Sequence, residues 1–345
     1  MIKRKVAVAL SGGMDSAVAA LLLKGAVSEV MGVHARLWNS PSSNQQEQQV
    51  ENVCRILNIP FHITDLQREF DLYVVDYFCQ EYKRGRTPNP CIACNEYMKF
   101  GFLLDKALSL DADYFATGHY ARIEHSDVGY HLLRAADVSK DQSYFLYALS
   151  QERLKHILFP IGDHTKAEVH QIAKQAGLLI TARSSQDICF ISPKNYRAFL
   201  SQRFSAKPGD IVDAQGKKLG HHEGIAFYTI GQRHGLGLAL GKPLYVTKIE
   251  PEHNKIILGD ETELYSREVT ATRLSWIASS PPTEPITITA KIRYKSKDAT
   301  AILFPKNNSG EVCFTQPQKA VTPGQAIVFY RGNEVLGGGI IEDES

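Results

Sequence analysis

The chain has 345 residues, 43% of them hydrophobic, and its 39 Lys and Arg residues barely outnumber its 37 Asp and Glu residues. This composition excludes a disordered or fibrous chain and leaves room for two or three globular domains. Because the formal net charge is only +2, a nucleic-acid partner would have to be held by local basic patches. Since no apolar run has the length of a signal peptide or a membrane span, we expect no membrane partner and a cytoplasmic location.

The first predicted elements enclose a glycine-rich loop. An apolar run at residues 6–10 predicts a strand, a run at residues 17–23 predicts a helix, and the sequence SGGMDS lies between them at residues 11–16. Two successive glycines let backbone N–H groups converge on one anion, and the helix adds the positive end of its dipole. The hydroxyl groups of Ser11 and Ser16 can donate hydrogen bonds to the oxygens of the same anion. The loop therefore predicts a phosphate site without the lysine of the Walker type.

Short apolar strands then alternate with helices up to about residue 200. The pattern predicts three more strands, at residues 29–37, 60–64 and 113–117, and three helices, at residues 47–57, 70–82 and 168–176. A Thr165-x-x-Glu168 capping box begins the last helix, and Gly177 ends it. Such alternation predicts a parallel sheet covered on both faces, which binds ligands at the carboxyl ends of its strands.

Two cysteines follow a rigid Pro-x-Pro segment in the sequence TPNPCIACN at residues 87–95. In a reducing compartment, clustered cysteines indicate catalysis or metal binding before structural disulfides. A helix that begins near Asn95 would lower the pKa of the Cys94 thiol, which makes Cys94 a candidate nucleophile. Three isolated cysteines in apolar surroundings are predicted to be core residues: Cys54, Cys79 and Cys313.

Cys189 lies much later in the chain, in a polar loop that runs into an apolar strand. If it faced Cys94, one thiol could carry an extra sulfur atom and the other could attack the sulfur–sulfur bond, which leaves a disulfide. Zinc is disfavoured because no second Cys or His pair lies at finger spacing. An iron–sulfur cluster held by Cys91, Cys94 and Cys189 is an open alternative.

The pattern changes in the second half of the chain. Glycine turns and short β-rich pieces predict a small central β-rich domain, with these pieces at residues 224–237, 244–249 and 255–258. Further runs predict a C-terminal antiparallel β-barrel, with strands at residues 286–294, 300–303, 311–314 and 326–330. Four basic residues alternate along the first of these runs and would share one face: Lys291, Arg293, Lys295 and Lys297. We place the domains at residues 1–203, 204–268 and 269–345.

Several motifs together resemble one family, the bacterial-type tRNA-specific 2-thiouridylases of the PP-loop ATP pyrophosphatase superfamily. The matching segments follow the family's order along nearly the whole chain, at residues 11–16, 87–90, 94–95, 117–122, 140–144, 188–191 and 228–233. The resemblance implies an N-terminal adenine nucleotide alpha hydrolase-like domain. It also implies that ATP adenylates O2 of the wobble uridine in the tRNA anticodon loop, yielding AMP and pyrophosphate, and that sulfur then replaces this oxygen.

The resemblance implies roles for individual residues as well. Cys94 corresponds to the nucleophile and Cys189 to the carrier of the persulfide. The implied ATP site, with Mg²⁺ at the phosphates, comprises Ala9, Leu10, Ser11, Gly12, Gly13, Met14, Asp15, Ser16, Ala35 and Gly118. The residues expected to contact tRNA or its target base are Asn89, Pro90, Cys91, His119, Lys140, Asp141, Gln142, Arg293, Tyr294 and Gln325.

A cysteine desulfurase or a sulfur-relay protein is the implied persulfide donor. The chain departs from the family pattern at two places. Many members carry Asp where this chain has Cys91, so a role for that carboxylate does not transfer, and Cys91 could instead be a cluster ligand or a resolving thiol. The second cysteine motif begins with Ser184 and Ser185, where Asp-Ser is common.

Overall fold

The computed structural model describes residues 4–27, 29–38, 43–178, 188–191, 195–238, 242–278 and 280–343. In these ranges the chain forms strands β1 to β17, which are, in order, Lys5–Ala9, Glu29–Arg36, Phe61–Asp65, Tyr114–Ala116, Ala121–Ser126, Gly129–Arg134, Ile157–Leu158, Gly209–Asp213, Lys218–His222, Tyr245–Glu250, Lys255–Gly259, Tyr265–Trp276, Ile286–Lys291, Ala299–Lys306, Ser309–Lys319, Ala326–Arg331 and Glu334–Ile341.

Helices of three kinds separate these strands. The α-helices are Met14–Ala26, Ser43–Leu57, Gln67–Phe70, Asp76–Lys83, Pro90–Ala93, Leu104–Ser109, Gln151–Leu154, Lys166–Gln175 and Tyr196–Arg203. The π-helices are Asp71–Val75 and Cys94–Leu103, and the 3₁₀ helices are Ser143–Leu146, Ile225–Phe227 and Glu261–Leu264. Among the described helices, none combines the length and the apolar character that crossing a bilayer requires.

Five strands form the parallel sheet of the N-terminal region, in the order β3-β2-β1-β4-β7. Side chains alternate along the central strand β1, so Val6 and Val8 pack on one face and Ala7 packs on the other. All three are fully buried. The predicted parallel sheet with two covered faces is therefore confirmed.

The end of the N-terminal region follows its local sequence signals. Thr165 accepts a hydrogen bond from the Glu168 backbone N–H at 3.2 Å, and Glu168 accepts one from the Thr165 N–H at 2.7 Å. Gly177 has a φ of +67°, a left-handed conformation that ends a helix. The predicted capping box and stop signal are thus confirmed.

A four-stranded central sheet follows, in the order β10-β11-β8-β9. Strands β11 and β8 pair in parallel, whereas the two outer pairs are antiparallel. Residues 224–237 form the short helix Ile225–Phe227 and turns rather than the predicted β-rich piece. This segment carries four glycines at positive φ, which favour turns over extended pairing: Gly224, Gly231, Gly235 and Gly237.

Six strands close the C-terminal barrel, in the order β12-β15-β14-β13-β16-β17, and β12 pairs again with β17. The predicted antiparallel barrel is confirmed. The hairpin β5-β6 from the N-terminal region extends this sheet, because Val335 pairs with Leu132 and Glu334 with Leu133. The barrel is therefore hydrogen-bonded to the region that carries the phosphate loop.

Two barrel predictions were wrong. Cys313 is exposed because it alternates along β15 with the buried side chains of Val312 and Phe314. The basic residues do not alternate on a strand, since β13 ends at Lys291 and the chain then turns, with the Ser296 N–H bonded to Arg293 O at 3.0 Å. Cys54 and Cys79 are buried, as predicted.

Candidate nucleotide and cysteine site

The glycine-rich loop at residues 11–16 joins β1 to the helix Met14–Ala26. Gly12 has a φ of +75°, and a Cβ there would lie 3.2 Å from Gln46 O. Within the loop, Ser16 Oγ donates to Gly13 O at 2.9 Å and accepts from the Ser11 N–H at 3.2 Å. These bonds hold the turn in shape, and the start of the helix gives it an anion-binding character.

The ends of three parallel strands surround this loop. Ala35 lies at the carboxyl end of β2, beside β1, and Gly118 lies two residues beyond β4. A Cβ on Gly118 would come within 2.6 Å of both Asp15 C and Ser16 N, so only glycine permits this contact. The residues expected to line the ATP site thus meet at one edge of the sheet, where such sheets bind ligands.

Asp15 of the loop has two side-chain partners from distant parts of the chain. Lys166 Nζ donates to Asp15 Oδ1 at 2.6 Å, and the Tyr120 hydroxyl donates to the same oxygen at 2.9 Å. Both side chains of the ion pair are partly exposed. The loop itself has no lysine, yet the fold brings one to it at the first residue of the helix Lys166–Gln175.

The cysteine loop begins a helical segment earlier than predicted. Asn89 Oδ1 accepts a hydrogen bond from the Cys91 N–H at 3.2 Å and caps the helix Pro90–Ala93. Asn95 is not the cap; it is buried and donates from Nδ2 to Phe145 O at 3.1 Å. Pro90 is buried as well, whereas Cys91 is exposed. Cys94 begins the π-helix Cys94–Leu103 and is half-buried.

The Cys94 pKa shifts in the direction opposite to the prediction. Burial raises the pKa of Cys94 to about 11. Cys94 follows the first helical turn, Pro90–Ala93, so it does not lie at the helix N-terminus, where the pKa of a thiol would be lowered. Burial also raises the pKa of Cys189 to about 12, with repulsion from Cys94 and Cys91 adding to it. Cys189 is exposed at its surface.

Cys94 packs against the same hydrophobic cluster as Ile188 and Phe190, the neighbours of Cys189, and it raises the pKa of Cys189. Cys94 and Cys189 therefore belong to one site, as the persulfide interpretation requires. Phe190, next to Cys189, packs edge-on against Phe70 and Phe78, at ring distances of 5.5 and 5.6 Å. Ser184 and Ser185, which precede Cys189 in its motif, lie outside the described residues.

Cys91, Cys94 and Cys189 could hold a metal ion or an iron–sulfur cluster only if their sulfur atoms lay close together. Across the described ranges, no three His, Cys, Asp or Glu side chains group closely enough to hold a metal ion. Cys91, Cys94 and Cys189 all lie within those ranges and do not form such a group. Their arrangement does not fit the three-thiolate cluster considered above.

His119 links the phosphate edge to the cysteines. It is buried, its Nδ1 lies 2.6 Å from Thr117 Oγ1, and its Nε2 lies 3.3 Å from Lys99 Nζ. Burial and the Lys99 charge lower the pKa of His119 well below its usual value. Since an ammonium can only donate, Nε2 is the acceptor and Nδ1 carries the proton. Neutral His119 is buried, which leaves it little surface for tRNA.

The three residues expected to contact tRNA at positions 140–142 have different environments. Lys140 is exposed. Asp141 is buried and accepts hydrogen bonds from the Ala135 N–H at 3.0 Å and from the Ser143 hydroxyl at 2.8 Å. Gln142 Oε1 accepts from the Tyr120 N–H at 3.0 Å. Asp141 therefore orders the loop that presents Lys140 and does not itself face solvent.

Two further tRNA candidates lie beside that loop. Tyr294 packs against Phe145 with a ring distance of 4.5 Å, which brings the turn after β13 next to the segment that follows Gln142. Arg293 is exposed and lines an open groove of about 720 Å³. The groove also contains Lys295, Lys297 and Lys319. Three of the four predicted basic residues, Arg293, Lys295 and Lys297, thus share a groove even though they do not share a strand, whereas Lys291 is not among its lining residues.

Gln325 contacts the cysteine loop. Its Nε2 donates to Thr87 O at 2.8 Å and approaches Pro88 O at 3.4 Å. The bonds join the barrel to the Pro-x-Pro segment that precedes Cys91 and Cys94.

Two site residues escaped sequence reasoning. Lys166 lies 151 residues from Asp15 in a segment that offers only a helix start, so no local pattern connects the pair. Lys99 lies five residues after Cys94, a spacing that places two side chains about 140° apart around an α-helix. A signal for either residue would have required knowledge of the tertiary contact or of the π-helix.

Three family profiles match the chain in succession. They are described as a tRNA methyl transferase HUP domain over residues 4–193, a tRNA methyl transferase PRC-barrel domain over residues 197–260, and an aminomethyltransferase beta-barrel domain over residues 266–341. Their matches run almost continuously from the phosphate loop to the last barrel strand.

Full-length relatives carry a more specific description. The tRNA-specific 2-thiouridylase MnmA of Acetivibrio thermocellus is 45% identical, with 99% of this chain and 100% of the relative aligned. The protein of the same name from Halothermothrix orenii is 45% identical over 98% of this chain and 99% of its own. The solved U34-tRNA thiolase NcsA from Methanococcus maripaludis, with its [4Fe-4S] cluster, matches 58% of this chain and 64% of its own at 18% identity and a TM-score of 0.36, too slight a likeness to argue from.

Proposed function

The chain belongs to the tRNA-specific 2-thiouridylase family, and on this basis we propose that it thiolates C2 of the wobble uridine with a persulfide carried by Cys189. The observation that carries the proposal is the continuity of the site. Gly118 packs against the phosphate loop, and the next residue, His119, contacts Lys99 beside the two thiols. Activation by ATP and sulfur transfer can therefore act on one bound base.

The profile descriptions contain the words methyl transferase, whereas the full-length relatives are named thiouridylases. The site supports thiolation. A phosphate loop beside two thiols suits a reaction in which ATP activates an oxygen and a soft nucleophile displaces it. These two features explain each other, and methyl transfer would leave the pair of thiols without a role.

In the first step, O2 of the uracil attacks the α-phosphorus of ATP. A bond forms between O2 and phosphorus, pyrophosphate leaves, and the base loses its N3 proton. The loop at residues 11–16 would hold the phosphates through backbone N–H groups, and Lys166 would exchange its bond to Asp15 for one to a phosphate oxygen. An enzyme that acts on a base atom must first turn the base out of its stack.

In the second step, the terminal sulfur of the Cys189 persulfide bonds to C2 and AMP leaves with its oxygen. The Cys94 thiolate then attacks Cys189 Sγ, and the bond between Cys189 and the transferred sulfur breaks. The electron pair stays on that sulfur, which becomes the thiocarbonyl when N3 takes up a proton. The two thiols are oxidised to a disulfide, the sulfane sulfur is reduced, and an external dithiol must restore the pair.

Magnesium fits the phosphate edge, where the Asp15 carboxylate could supply an oxygen ligand beside phosphate oxygens, as hard cations prefer. The ion would neutralise charge on the leaving pyrophosphate. In the ligand-free arrangement Lys166 and Tyr120 both use Oδ1 of Asp15. We propose that Asp15 turns from these partners toward the metal when ATP binds.

The exposed Lys140 and the groove that contains Arg293 would bind phosphate groups of the tRNA anticodon arm. The groove includes Arg293 and Lys295, which flank Tyr294, and Tyr294 packs against Phe145, five residues after Lys140. Phosphate contacts of this kind position RNA without reading its sequence. An enzyme with a cysteine desulfurase activity, or a relay protein that it loads, would deliver the persulfide to the exposed Cys189.

The decisive experiment is mass spectrometry of nucleosides from unmodified tRNA that has been incubated with metal-stripped protein, ATP, Mg²⁺ and a persulfide-generating desulfurase. We expect 2-thiouridine at the wobble position, with one AMP and one pyrophosphate released for each sulfur incorporated. Product that appears only after anaerobic cluster reconstitution would contradict the persulfide route, and formation of a methylated base would contradict thiolation itself.

A further inference from the structure

Lys99 lies next to the cysteine site although no motif marks it. Its side chain is half-buried, and Nζ lies 3.3 Å from Nε2 of the buried His119. His119 is in turn fixed by Thr117 Oγ1, 2.6 Å from its other ring nitrogen. A neutral histidine that accepts from an ammonium restrains a flexible lysine without cancelling its charge. The contact with His119 therefore positions the Lys99 side chain.

The π-helix determines what Lys99 faces. Backbone hydrogen bonds in a π-helix join residues five apart, so Lys99 follows Cys94 by one turn of Cys94–Leu103 and shares its side of the helix. Gly101 supports this geometry, because a Cβ there would lie 3.1 Å from the carbonyl oxygen of Glu96, five residues earlier. In an α-helix Lys99 would point away from Cys94, about 140° around the axis.

The Lys99 charge acts on every thiol of the site. It lowers the pKa values of Cys91, Cys94 and Cys189 against the upward effect of burial. In the part of the chain that the structure describes, it is the one cation that acts on all three. The other charged or titratable groups that face these sulfurs are the thiols themselves, and the group that faces Lys99 from the opposite side is His119.

We propose that Lys99 is the cation of the sulfur-transfer step, held over the reacting sulfurs by His119 as its positioning residue. The proposal rests on the proposed function and deepens it. When the Cys94 thiolate attacks Cys189 Sγ, negative charge leaves Cys94 and appears on the sulfur bound to C2. An ammonium beside both atoms stabilises this transfer because it remains close to the charge throughout. The π-helix is the structural feature that supplies it.

Alkylation of Cys94 tests the proposal without requiring activity. In a Cys91→Ser, Cys189→Ser background, the rate of iodoacetamide reaction at Cys94 is followed by peptide mass spectrometry between about pH 7.5 and 9.5, below the raised pKa of Cys94, where its thiolate fraction grows with pH. We compare Lys99→Met, which keeps the apolar stem, with Lys99→Arg, which keeps the charge. Lys106→Met is the matched control, since Lys106 is exposed in the next helical segment.

We expect Lys99→Met to slow alkylation about threefold or more. Loss of the nearby positive charge raises the pKa of Cys94 and lowers its thiolate fraction roughly tenfold. The more basic thiolate is also a stronger nucleophile, which offsets part of this decrease in rate. Lys99→Arg and Lys106→Met should match the parent. Equal rates for Lys99→Met and the parent would overturn the proposal. If Lys99→Met does not fold, Lys99→Gln, which can still donate to His119, replaces it and carries the same expectation.

A thiolation assay on the otherwise native protein separates this inference from the proposed function. Lys99→Met should lower the single-turnover rate of 2-thiouridine formation at saturating tRNA and ATP, while Lys99→Arg retains most of it. If the native protein forms no 2-thiouridine, the proposed function fails, whereas the alkylation result still decides whether Lys99 acts on Cys94. If the native protein is active and Lys99→Met is equally fast, the inference alone fails.

Discussion

Gln325 donates a hydrogen bond from the barrel to Thr87 O, 2.8 Å away, and so holds the backbone that leads into the cysteine loop. Further bonds support the same segment. The Thr87 N–H donates to Pro323 O at 2.9 Å, and Arg86 is paired with Glu81 and Glu342. A segment fastened at successive residues is rigid, so the barrel contributes directly to the position of Cys94.

We therefore expect Gln325→Leu to slow sulfur transfer. The variant loses the bond to Thr87 O, and a small displacement of a nucleophile can reduce a rate by about a hundredfold. Single-turnover thiolation at saturating tRNA measures this effect. If the variant has the native rate at saturation and only a higher Kd for tRNA, Gln325 is a tRNA contact and does not position the loop.

Lys166 should contribute to ATP binding. It lies at the start of a helix, 2.6 Å from Asp15, and its ammonium lies 5.7 Å from the ring centre of Tyr120. A charge-assisted hydrogen bond to a phosphate is worth about 1.5 to 3 kcal/mol. Lys166→Met is therefore expected to raise the Kd for ATP roughly tenfold or more, measured by calorimetry.

Lys174→Met is the control for this measurement, because Lys174 is exposed near the end of the same helix. It should leave the Kd for ATP unchanged. An unchanged Kd for Lys166→Met would mean that Lys166 serves only as the partner of Asp15. Lys166→Arg should retain part of the affinity, since it keeps the charge but alters its geometry.

Much of the phosphate edge could be predicted because its signals are local. A buried strand, two glycines and a helix follow one another within the first 26 residues, and the parallel sheet follows from the alternation of strands and helices. The capping box at Thr165 and the stop at Gly177 are also local features. Sequence periodicity captures structure of this kind because each element determines its own pattern.

The contacts that the sequence did not predict are those between distant residues or in rare backbone forms. The hairpin β5-β6 joins the barrel sheet across about 200 residues, and no local pattern specifies its partner. The π-helix at Cys94 changes which residues share a face, so Lys99 was missed. The pKa prediction for Cys94 failed because burial, a tertiary property, outweighed the helix terminus.

Gly118→Ala should disrupt the phosphate edge. Its Cβ would lie 2.6 Å from Asp15 C and Ser16 N, backbone atoms that cannot yield without moving the loop. We expect a loss of about 1 to 3 kcal/mol in unfolding free energy, as in overpacked cores, together with weaker ATP binding. Gly25→Ala is the matched control: no atom lies within 4 Å of its Cβ position, and alanine in a helix is favoured by about 1 kcal/mol. Equal denaturation midpoints and ATP affinities for native protein and Gly118→Ala would refute the close contact.

The thiol pKa values predict how sulfur transfer depends on pH. Burial raises the pKa of Cys94 to about 11, so the protonated form predominates at neutral pH and the thiolate fraction grows as pH rises. In protein whose Cys189 has been loaded with persulfide, the rate of disulfide formation with Cys94 should increase up to about tenfold per pH unit between roughly pH 7 and 9. A plateau that begins below pH 8 would instead indicate a depressed pKa at Cys94.

Of the three thiols at the site, two should be essential for thiolation and one should be dispensable. Cys94→Ser and Cys189→Ser are each expected to abolish 2-thiouridine while leaving ATP binding intact, because neither side chain contacts the loop at residues 11–16 and both act after adenylation. Cys91→Ser should retain thiolation, since only Cys94 and Cys189 exchange sulfur in the proposed transfer. Without reductant, the native protein should form one Cys94–Cys189 disulfide per 2-thiouridine, mapped by peptide mass spectrometry. Loss of activity in Cys91→Ser would contradict this two-thiol transfer and would give Cys91 a role as a cluster ligand, a resolving thiol or a tRNA contact.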